Sequence, residues 1–399
     1  MLKGKRIVLG VSGGIAAYKM ANVASMLVKL NADVHVVMTE GATHFITPET
    51  FEVLTNNRCH TDTFDRELRM HVPHVTLGTT ADAFLIAPAT ADVIGKIASG
   101  IADDMLTTTV LPARCPVMIA PSMNVNMLEN PIVQDNIKKL ESYGYEIIEA
   151  DEGYLACGTV GKGKLPQEEI LVEHIIRACA KEKDLAGKNI LITAGATQEA
   201  IDPVRYITNH STGKMGYALA RMAMLRGANV TLVTGKTDIK PPMFVNVINI
   251  TSAKEMYEAV IAKSDKQDII IKAAAVADYR PINVADNKIK KTDKDMSIPL
   301  ERTDDILGYL GAHKKQGQFL CGFSMETENM LENSSKKLEK KNADMIVANN
   351  LKVAGAGFGT DTNIVTLITK EGALELPILS KEAVADAIFD KILGLMNNN

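Results

Sequence analysis

Two short stretches of small residues follow apolar runs and precede helical patterns. Ser12-Gly13-Gly14 follows the run Arg6–Val11 in the first half. In the second half, Gly195 and a loop follow Asn189–Ala194, and the next helix start contains Ser211, Gly213 and Gly216. Glycine allows the backbone to approach a ligand closely, and the N–H groups of a helix N-terminus suit a phosphate. A tight connection without a ligand has the same pattern, and neither stretch has the spacing of the common dinucleotide or P-loop motifs. The pattern therefore indicates two candidate anion sites and leaves their ligands open.

A further loop in the first half lies at the same predicted sheet edge as Ser12. The run Ala83–Ala87 leads into a proline, three small residues and an aspartate. Ligands of open α/β sheets bind at the carboxyl ends of the strands. Two loops at one edge predict a nucleotide or flavin site. The candidate cofactor-binding residues are Ser12, Gly13, Gly14, Ala87, Pro88, Ala89 and Thr90.

Three side chains of the first half could act on a substrate, namely His74, Asn124 and Cys157. A lone histidine is more often a satisfied surface or core residue, and Asn124, which follows a predicted strand, could simply cap a loop. Cys157 lies in the glycine-rich segment 156–163, which is either a flap-like loop or a plain linker. The residues alone leave a catalytic role open for all three.

Lysines are the candidate anion-binding residues of the second half. The run Lys288-Ile289-Lys290-Lys291 follows the apolar run Asp268–Lys272 at the predicted ligand edge, where lysine charge suits a triphosphate. Such a basic run is also typical of a solvated loop. A second basic cluster, Lys336-Lys337 with Lys340-Lys341, has i,i+4 spacing on a predicted helix and would line one face, with Lys336 and Lys340 as the candidate binding residues. That pattern favours a solvent-exposed face with a functional lysine among its members.

The elements that must position these residues alternate between apolar strands and helices. Such alternation predicts an α/β fold class, with two Rossmann-like or flavodoxin-like domains whose mainly parallel sheets carry helices on both faces. A hairpin over 363–379 and a helix from about Lys381 to Leu395 end the chain. The predicted strands are Arg6–Val11, Val34–Met38, Ala83–Ala87, Val117–Ala120, Asn189–Ala194, Asn229–Thr234, Asp268–Lys272, Gln318–Phe323 and Asp344–Ala348.

Length and composition agree with two globular domains. The 399 residues exceed one ordinary core, and 46% hydrophobic with 23% charged residues is typical of a globular protein. The segment 181–187 is charged and poor in strand-forming residues at its start. It predicts a linker between a first domain over 1–180 and a second domain over 188–399.

Charge and cysteine usage disfavour several classes of protein. A formal net charge of −4 provides no basic field for nucleic acid or an anionic membrane. No apolar run approaches the about 20 residues that a membrane span needs. Five scattered cysteines without a CxxC pair favour reduced thiols over disulfides or a zinc site. We therefore expect a cytoplasmic protein that has neither nucleic acid nor a membrane as partner.

Five motifs in order over about residues 3–170 resemble the flavin-containing cysteine decarboxylase family. They are Ser12–Lys19, His74 before Val75-x-Leu77, Ala87–Asp92, Pro121-x-Met123-Asn124 and Ala156-Cys157-Gly158. The resemblance implies a bound FMN that oxidises the substrate's cysteinyl thiol and returns the hydride after CO₂ leaves. It assigns His74 to oxidative decarboxylation, Asn124 to the carboxylate that is lost and Cys157 to the final protonation. Asp103-Asp104 departs from the family, in which Asn-Asp often stands.

Four motifs over about residues 188–392 resemble phosphopantothenoylcysteine synthetase. They are Gly195–Arg205, Asn209–Gly216, Ala274–Asp278 and Lys288–Lys291. With the first half, the chain is similar to fused bacterial enzymes of coenzyme A biosynthesis over nearly its whole length. The resemblance implies CTP and Mg²⁺, with unknown metal ligands. It implies ligation of 4'-phosphopantothenate to L-cysteine through an acyl-cytidylate, followed by decarboxylation to 4'-phosphopantetheine.

The same resemblance implies roles for residues of the second half. It implies that Asn209 holds the acyl-nucleotide and that Asp278 helps to hold the nucleotide. It also implies that Lys288 is needed for the reaction of the acyl-nucleotide with cysteine. Nothing in the residues themselves separates CTP from ATP. The full set of predicted nucleotide- and substrate-binding residues is Arg205, His210, Ala274, Asp278, Lys288, Lys290, Phe323, Lys336 and Lys340.

Two other functions fit the first half alone. Flavodoxin-like relatives oxidise peptide cysteines or prenylate flavins, and others act as regulatory binding partners. The fused second half argues against the former, and the presence of His74, Asn124 and Cys157 together argues against the latter. The resemblance also implies a homo-oligomer. We expect a dodecamer with trimeric flavin units, active sites between subunits and paired ligase units.

Overall fold

A computed structural model describes residues 1–64, 72–154, 158, 160–291, 295–326, 329–350 and 361–397. The chain divides into two compact units, Met1–Lys181 and Glu182–Asn399. Among the described residues, none of the helices is both long and apolar enough to cross a membrane.

The first unit contains a six-stranded sheet. Its strands are β1 (Arg6–Val11), β2 (Asp33–Met38), β3 (Cys59–His60), β4 (Ala83–Ala89), β5 (Val117–Pro121) and β6 (Glu146–Ile147). They are all parallel, in the order β3-β2-β1-β4-β5-β6. All seven residues of β4 are buried, because helices cover both faces of a parallel sheet. A separate antiparallel pair is formed by β7 (Asp151–Tyr154) and β8 (Val160–Lys164).

Helices connect the strands of the first unit and cover its sheet. A 3₁₀ helix spans Ile15–Lys19. The α-helices are α1 (Met20–Lys29), α2 (Glu40–Thr43), α3 (Pro48–Thr55), α4 (Pro73–Thr80), α5 (Ala91–Ser99), α6 (Met105–Val110), α7 (Val125–Leu128), α8 (Pro131–Ser142) and α9 (Glu168–Cys179).

The second unit is built on an eight-stranded sheet with small antiparallel pairs beside it. Its strands are β9 (Asn189–Ala194), β10 (Gln198–Ala200), β11 (Tyr206–Thr208), β12 (Asn229–Thr234), β13 (Asn246–Asn249), β14 (Ile269–Lys272), β15 (Tyr279–Pro281), β16 (Leu300–Arg302), β17 (Phe319–Glu326), β18 (Met345–Asn350), β19 (Thr362–Asn363), β20 (Val365–Thr369), β21 (Gly372–Glu375) and β22 (Leu379–Ser380). Its helices are α10 (Lys214–Leu225), α11 (Ala253–Ser264), α12 (Ile306–Ala312), α13 (Met330–Lys340) and α14 (Lys381–Asn397).

The two large sheets share one strand order. The second runs β13-β12-β9-β14-β17-β18-β20-β21, with its first six strands parallel and its last two antiparallel. In each sheet the chain starts at a central strand, builds outward to one edge and then crosses back to the other side. The switch points therefore lie between β1 and β4 and between β9 and β14, where ligands of such sheets bind.

The α/β fold class predicted from the sequence is confirmed. The predicted strands are present, although β17 continues to Glu326, beyond the predicted Phe323. The second strand of the hairpin predicted over 363–379 is wrong in detail. Its residues divide between β21, which pairs with β20, and β22, which pairs with β19. In the segment predicted as a linker, Leu185 is fully buried and donates its N–H to the Arg226 carbonyl (3.0 Å) within the second unit.

Candidate functional site

At the switch point of the first sheet, Ser12 joins the loops that follow β1 and β4. Its side chain is fully buried; its Oγ donates to the Pro88 carbonyl (2.7 Å) and accepts the N–H of Thr90 (3.0 Å). The Thr90 hydroxyl in turn accepts the N–H of Val93 at the start of α5 (3.4 Å). One small hydroxyl residue thus fixes both loops relative to each other.

Gly13 is required by the close approach of two backbones. A Cβ at this position would lie 2.7 Å from the carbonyl carbon of Gly41, so a side chain would displace one of the two loops. A Cβ on Gly14 would lie 3.7 Å from the Pro88 ring, which is ordinary contact. Of the two predicted glycines, the structure makes Gly13 the sterically necessary one.

These loops form one side of a cavity of about 460 Å³. Ile15 and Tyr154, which line it, are 58% and 71% exposed. Apolar side chains beside a glycine turn suit a flat aromatic ligand with a phosphate tail. The remaining lining includes Thr90, Ser122, Met123, Asn124, Gly163 and Leu165.

Ala87, Pro88 and Ala89 are buried within β4 and do not line this cavity. They contribute backbone atoms instead. The Pro88 carbonyl accepts from Ser12, and the Ala89 carbonyl accepts the N–H of Ser122 (3.0 Å). The Ala87-Pro88 peptide bond is cis.

Asn124 lines the cavity at the N-cap of α7, where its Oδ1 accepts the N–H of Asn126 (2.9 Å). Strand β8 packs directly on this loop, because the Met123 N–H donates to the Gly163 carbonyl (3.1 Å). A Cβ on Gly163 would lie 2.2 Å from the Met123 carbonyl oxygen. The loop predicted for this glycine-rich segment is therefore wrong for Val160–Lys164, where glycine permits backbone contact.

Of the other two predicted catalytic residues of this unit, the structure describes only His74. His74 lies in the first turn of α4, is half-buried and does not line the cavity. Its Nδ1 is buried and has no hydrogen-bond partner among the described residues. Cys157 lies outside the described residues. Within the described part of a single chain, Asn124 and the predicted cofactor loops thus lie at the same cavity, whereas His74 does not line it.

The carboxyl edge of the second sheet carries two adjoining cavities. One, of about 490 Å³, is lined by the loop before α10; the other, of about 420 Å³, is lined by the start of α12. We call them the α10 cavity and the α12 cavity. Both are lined by Lys272, Val276, Asp278, Phe323 and Lys337.

The α10 cavity contains several residues predicted to bind substrate. Asn209, His210 and Ala274 line it, and the Asn209 Nδ2 donates to the Ala275 carbonyl (3.3 Å). Gly213 is the N-cap of α10, with φ +78° and no side-chain cap. An uncapped N-terminus of a twelve-residue helix beside a cavity favours an anion.

Two polar residues at this cavity were missed in the sequence. Asn349 is only 8% exposed, and its Oδ1 has no hydrogen-bond partner among the described residues. Lys381 is 9% exposed; burial lowers its pKa, the charge of Lys214 lowers it further, and Asp361 opposes the shift. An asparagine near a strand end and a lysine at a helix start carry no signal of this placement in one sequence.

In the α12 cavity, the basic residues are neighbours of the predicted ones. Lys337 and Lys341 line it, whereas Lys336 and Lys340 are exposed and line neither cavity. Lys336 is paired with Glu332 (2.6 Å). The two adjacent lysine pairs, Lys336 with Lys340 and Lys337 with Lys341, have the same i,i+4 spacing. The sequence pattern therefore does not specify which pair faces the sheet.

Lys272 was also missed, although it ends a predicted apolar strand at the ligand edge. Burial lowers its pKa to about 8, with a further decrease from Lys337 and Lys341 that Asp305 and Asp278 oppose. A lysine at the end of a run of isoleucines was the available signal.

The basic run that includes Lys288 and Lys290 is exposed and lies outside both cavities. It is held at Ile289, whose N–H donates to Asp202 (3.2 Å) and whose carbonyl accepts from Arg205 (2.5 Å). Burial would raise the pKa of the Asp202 carboxyl, but three backbone N–H donors and the charge of Arg205 bring it below its ordinary value. The predicted substrate contact Arg205 thus supports the lysine segment.

Carboxylates are also present beside the α12 cavity. Asp278 and Asp304 line it, while Asp305 caps α12 and pairs with Lys341. Within the described part of the chain, no group of three or more His, Cys, Asp or Glu side chains is arranged to hold a metal ion by itself. The carboxylates can therefore supply part of a cation's ligands, with the remainder from a bound phosphate or water.

Comparison with known proteins assigns both units to described families. Residues 1–180 match the Flavoprotein family, and residues 185–396 match the DNA/pantothenate metabolism flavoprotein C-terminal domain. The coenzyme A biosynthesis bifunctional protein CoaBC of Bacillus subtilis (strain 168) is 50% identical over 399 residues, covering 99% of this chain and 98% of that protein. The protein of the same name from Vibrio vulnificus (strain YJ016) is 45% identical, covering 100% of this chain and 99% of that protein. A crystal structure of the C-terminal domain of a CoaBC protein covers 55% of this chain and all of that chain, at 46% identity and a TM-score of 0.47.

Proposed function

Because this chain belongs to the family of bifunctional coenzyme A biosynthesis proteins, with decarboxylase and ligase activities, we propose that it catalyses two consecutive reactions. The second unit ligates 4'-phosphopantothenate to L-cysteine with CTP. The first unit then decarboxylates the product to 4'-phosphopantetheine with FMN. The observation that supports this proposal most directly is that one chain has two switch-point cavities of different chemistry, one apolar beside a glycine turn and one rich in lysine.

The cavity of the first unit fits FMN. The turn at Gly13, which has no room for a Cβ, would hold the phosphate, while Ser12 and Thr90 keep the turn in place. Bound FMN would supply a hydride acceptor that also returns the hydride, so the reaction would have no net redox change. The Asn124 amide would bind the carboxylate that leaves as CO₂. Cys157 would donate the final proton.

His74 suggests that this site is shared between subunits. Its buried Nδ1 lacks a hydrogen-bond partner among the described residues of the chain, and the residue does not line the cavity that contains Asn124. A neighbouring copy that brings His74 to this cavity would complete the catalytic set. We therefore propose the homo-oligomer described above, up to a dodecamer, which light scattering of the purified protein tests.

The ligase reaction needs an electrophilic carboxyl group. The carboxylate of 4'-phosphopantothenate attacks the α-phosphorus of CTP and pyrophosphate leaves. The amine of cysteine then attacks the acyl carbon, CMP leaves, and the amine loses a proton. Asn209 would hold the acyl group, and Lys288 would assist the second step.

Charge on the nucleotide would be balanced by the lysines that the structure places at the α12 cavity. Lys337 and Lys341 are better placed for this role than the predicted Lys336 and Lys340. Mg²⁺ bound to the phosphates would spread their charge further, with Asp278 and Asp304 as the available carboxylate oxygens.

Two assays test these assignments separately. Release of the bound flavin from the purified protein, followed by chromatography, identifies it as FMN or contradicts the cofactor. Pyrophosphate release with 4'-phosphopantothenate and either CTP or ATP tests the nucleotide. We expect release with CTP and at least about tenfold less with ATP, a difference of about 1.4 kcal/mol in transition-state binding. Equal release with both nucleotides would contradict the specificity for CTP.

A further inference from the structure

We propose that Lys272 is a further substrate-binding residue of the ligase, whose ammonium group contacts the phosphoryl group that joins the acyl and nucleotide substrates. This inference rests on the proposed ligation in the second unit. It adds a named residue to that reaction, at the point where the two cavities meet.

Lys272 lies where the two cavities meet. It is the last residue of β14, at the carboxyl edge of the sheet and beside the switch point with β9. It lines both the α10 and the α12 cavity. If the acyl substrate occupies one cavity and the nucleotide the other, their shared phosphoryl group must pass through the region that both cavities share.

The lysines that neighbour Lys272 already have protein partners. Lys337 donates to the Phe323 carbonyl (3.0 Å), and Lys341 is paired with Asp305. Among the residues that the structure describes, the Lys272 ammonium has no hydrogen bond and no ion pair, although its side chain is enclosed by these elements. A half-buried ammonium without a protein partner is costly unless a ligand supplies the counter-charge.

The charged groups around Lys272 come from three packed elements. Lys337 and Lys341 face it from α13 and the residue after that helix, Asp305 from the N-cap of α12, and Asp278 from the loop after β14. Burial and the two lysines lower its pKa to about 8, against the two aspartates. An arriving phosphoryl group reverses this imbalance and favours the protonated amine. Before a ligand binds, the nearby aspartates therefore balance the charge of the Lys272 ammonium only in part, and this favours binding of an anion.

The test separates binding of the phosphoryl group from a structural role. Lys272→Met and Lys272→Arg are compared in single-turnover pyrophosphate release from CTP and 4'-phosphopantothenate. Cysteine is omitted because its thiol and amine titrate in the same pH range. We expect Lys272→Met to lower kcat/KM for CTP by about 10²-fold, the effect of removing one preorganised donor to a developing charge. Lys272→Arg should retain activity within about tenfold, since guanidinium also binds phosphate.

The pH profile gives a readout that a structural role would not move. In the wild-type protein the rate of this step should fall as pH rises through about 8, because the free ammonium loses its proton there. Guanidinium keeps its charge, so Lys272→Arg should shift this alkaline limb to higher pH. A wild-type rate for Lys272→Met would overturn the inference. Equal loss in both variants with an unshifted limb would also overturn it and assign Lys272 a structural role.

Controls keep these outcomes distinct from misfolding. Lys254→Met removes an exposed lysine on α11 that pairs with Glu258 (4.0 Å), and it should leave the rate unchanged. Decarboxylation of supplied 4'-phosphopantothenoylcysteine and thermal unfolding report whether each variant is folded. If Lys272→Met does not fold, the position of the alkaline limb in the pH–rate profile of Lys272→Arg tests the inference instead. Absence of pyrophosphate release in the wild-type protein would instead contradict the proposed ligation itself.

Discussion

The two units place their cavities at the same point of the same strand order, yet they prepare those cavities in different ways. In the first unit the loops are held by a buried neutral hydroxyl, Ser12, and by a glycine, Gly13, with no room for a side chain. In the second unit the loops and lining involve buried or half-buried charges, among them Asp202, Lys272 and Lys381. The shared topology therefore fixes where a ligand binds, while the loop residues decide what it is.

This difference has a physical basis in the ligands that the two sites suit. A flat aromatic cofactor gains most from shape and apolar contact, with one phosphate at a backbone turn. A nucleoside triphosphate brings several negative charges, so cations at its site must be held close without being neutralised beforehand. The first site should accordingly be sensitive to added atoms, and the second to charge, salt and pH.

The largest effect should come from adding a methyl group to the first site. Gly13→Ala places a Cβ 2.7 Å from the Gly41 backbone, so one loop must move away from the phosphate position. We expect loss of bound flavin and about a 10²-fold lower decarboxylation rate, as small misplacements near reacting groups cause. Flavin absorbance per protein and decarboxylation of 4'-phosphopantothenoylcysteine measure both.

A matched glycine controls for the substitution itself. Gly95 lies within α5, and a Cβ there would approach no atom closer than the Asn136 amide nitrogen at 3.7 Å. Gly95→Ala should keep its flavin and its activity. Full flavin content in Gly13→Ala would remove the steric argument for this site.

A smaller effect is expected from neutralising the carboxylate that supports the Lys288 segment. Asp202 accepts the N–H groups of Val204, Arg205 and Ile289. Asp202→Asn replaces an acceptor oxygen with an amide donor and weakens these contacts, so Lys288 is less well held. We expect about a tenfold lower rate of amide formation in a ligase assay, with decarboxylation unchanged.

The pH dependence of Asp202 has a defined sign. Its folded pKa lies below the ordinary value of 3.8, so the carboxylate stabilises the second unit above that pH. This contribution is lost as pH falls through the folded pKa, and Asp202→Asn removes it at every pH.

Asp265→Asn, which changes an exposed carboxylate paired with Lys315 (3.3 Å), is the matched control. An unaltered ligase rate in Asp202→Asn would show that the segment does not depend on this anchor.

The smallest effect should be the difference in salt dependence between the two reactions. Raising KCl from about 0.05 to 0.5 M screens the attraction between lysines and a triphosphate, and kcat/KM for CTP should fall about threefold. Decarboxylation, whose substrate carries fewer charges, should change less. Equal salt dependence of both reactions, measured in the same buffers, would argue against the charge-based contrast.

Much of this arrangement could be predicted from the sequence. Continuous apolar runs identified the strands, and glycine or proline after them identified the loops at the ligand edge. Gly13 and Asn124 line one cavity at that edge, and Ser12 holds the loops beside it. Strands and loops could be predicted because strand period and loop placement are local properties of the chain.

Other features could not be predicted because they depend on contacts between distant segments. Lys337 and not Lys336 faces the sheet through the rotation of α13 about its axis, which an i,i+4 pattern does not specify. The approach of Gly163 to Met123 joins a strand and a loop far apart in sequence. The enclosure of Lys272 likewise depends on α12 and α13 packing over the end of β14.

Product analysis by mass spectrometry tests both proposed activities in one experiment. The purified protein is supplied with 4'-phosphopantothenate, L-cysteine and Mg²⁺, with CTP in one reaction and ATP in another. We expect 4'-phosphopantetheine with CTP and little with ATP. Accumulation of 4'-phosphopantothenoylcysteine would contradict the assignment of the first unit, and absence of any amide product would contradict the account as a whole.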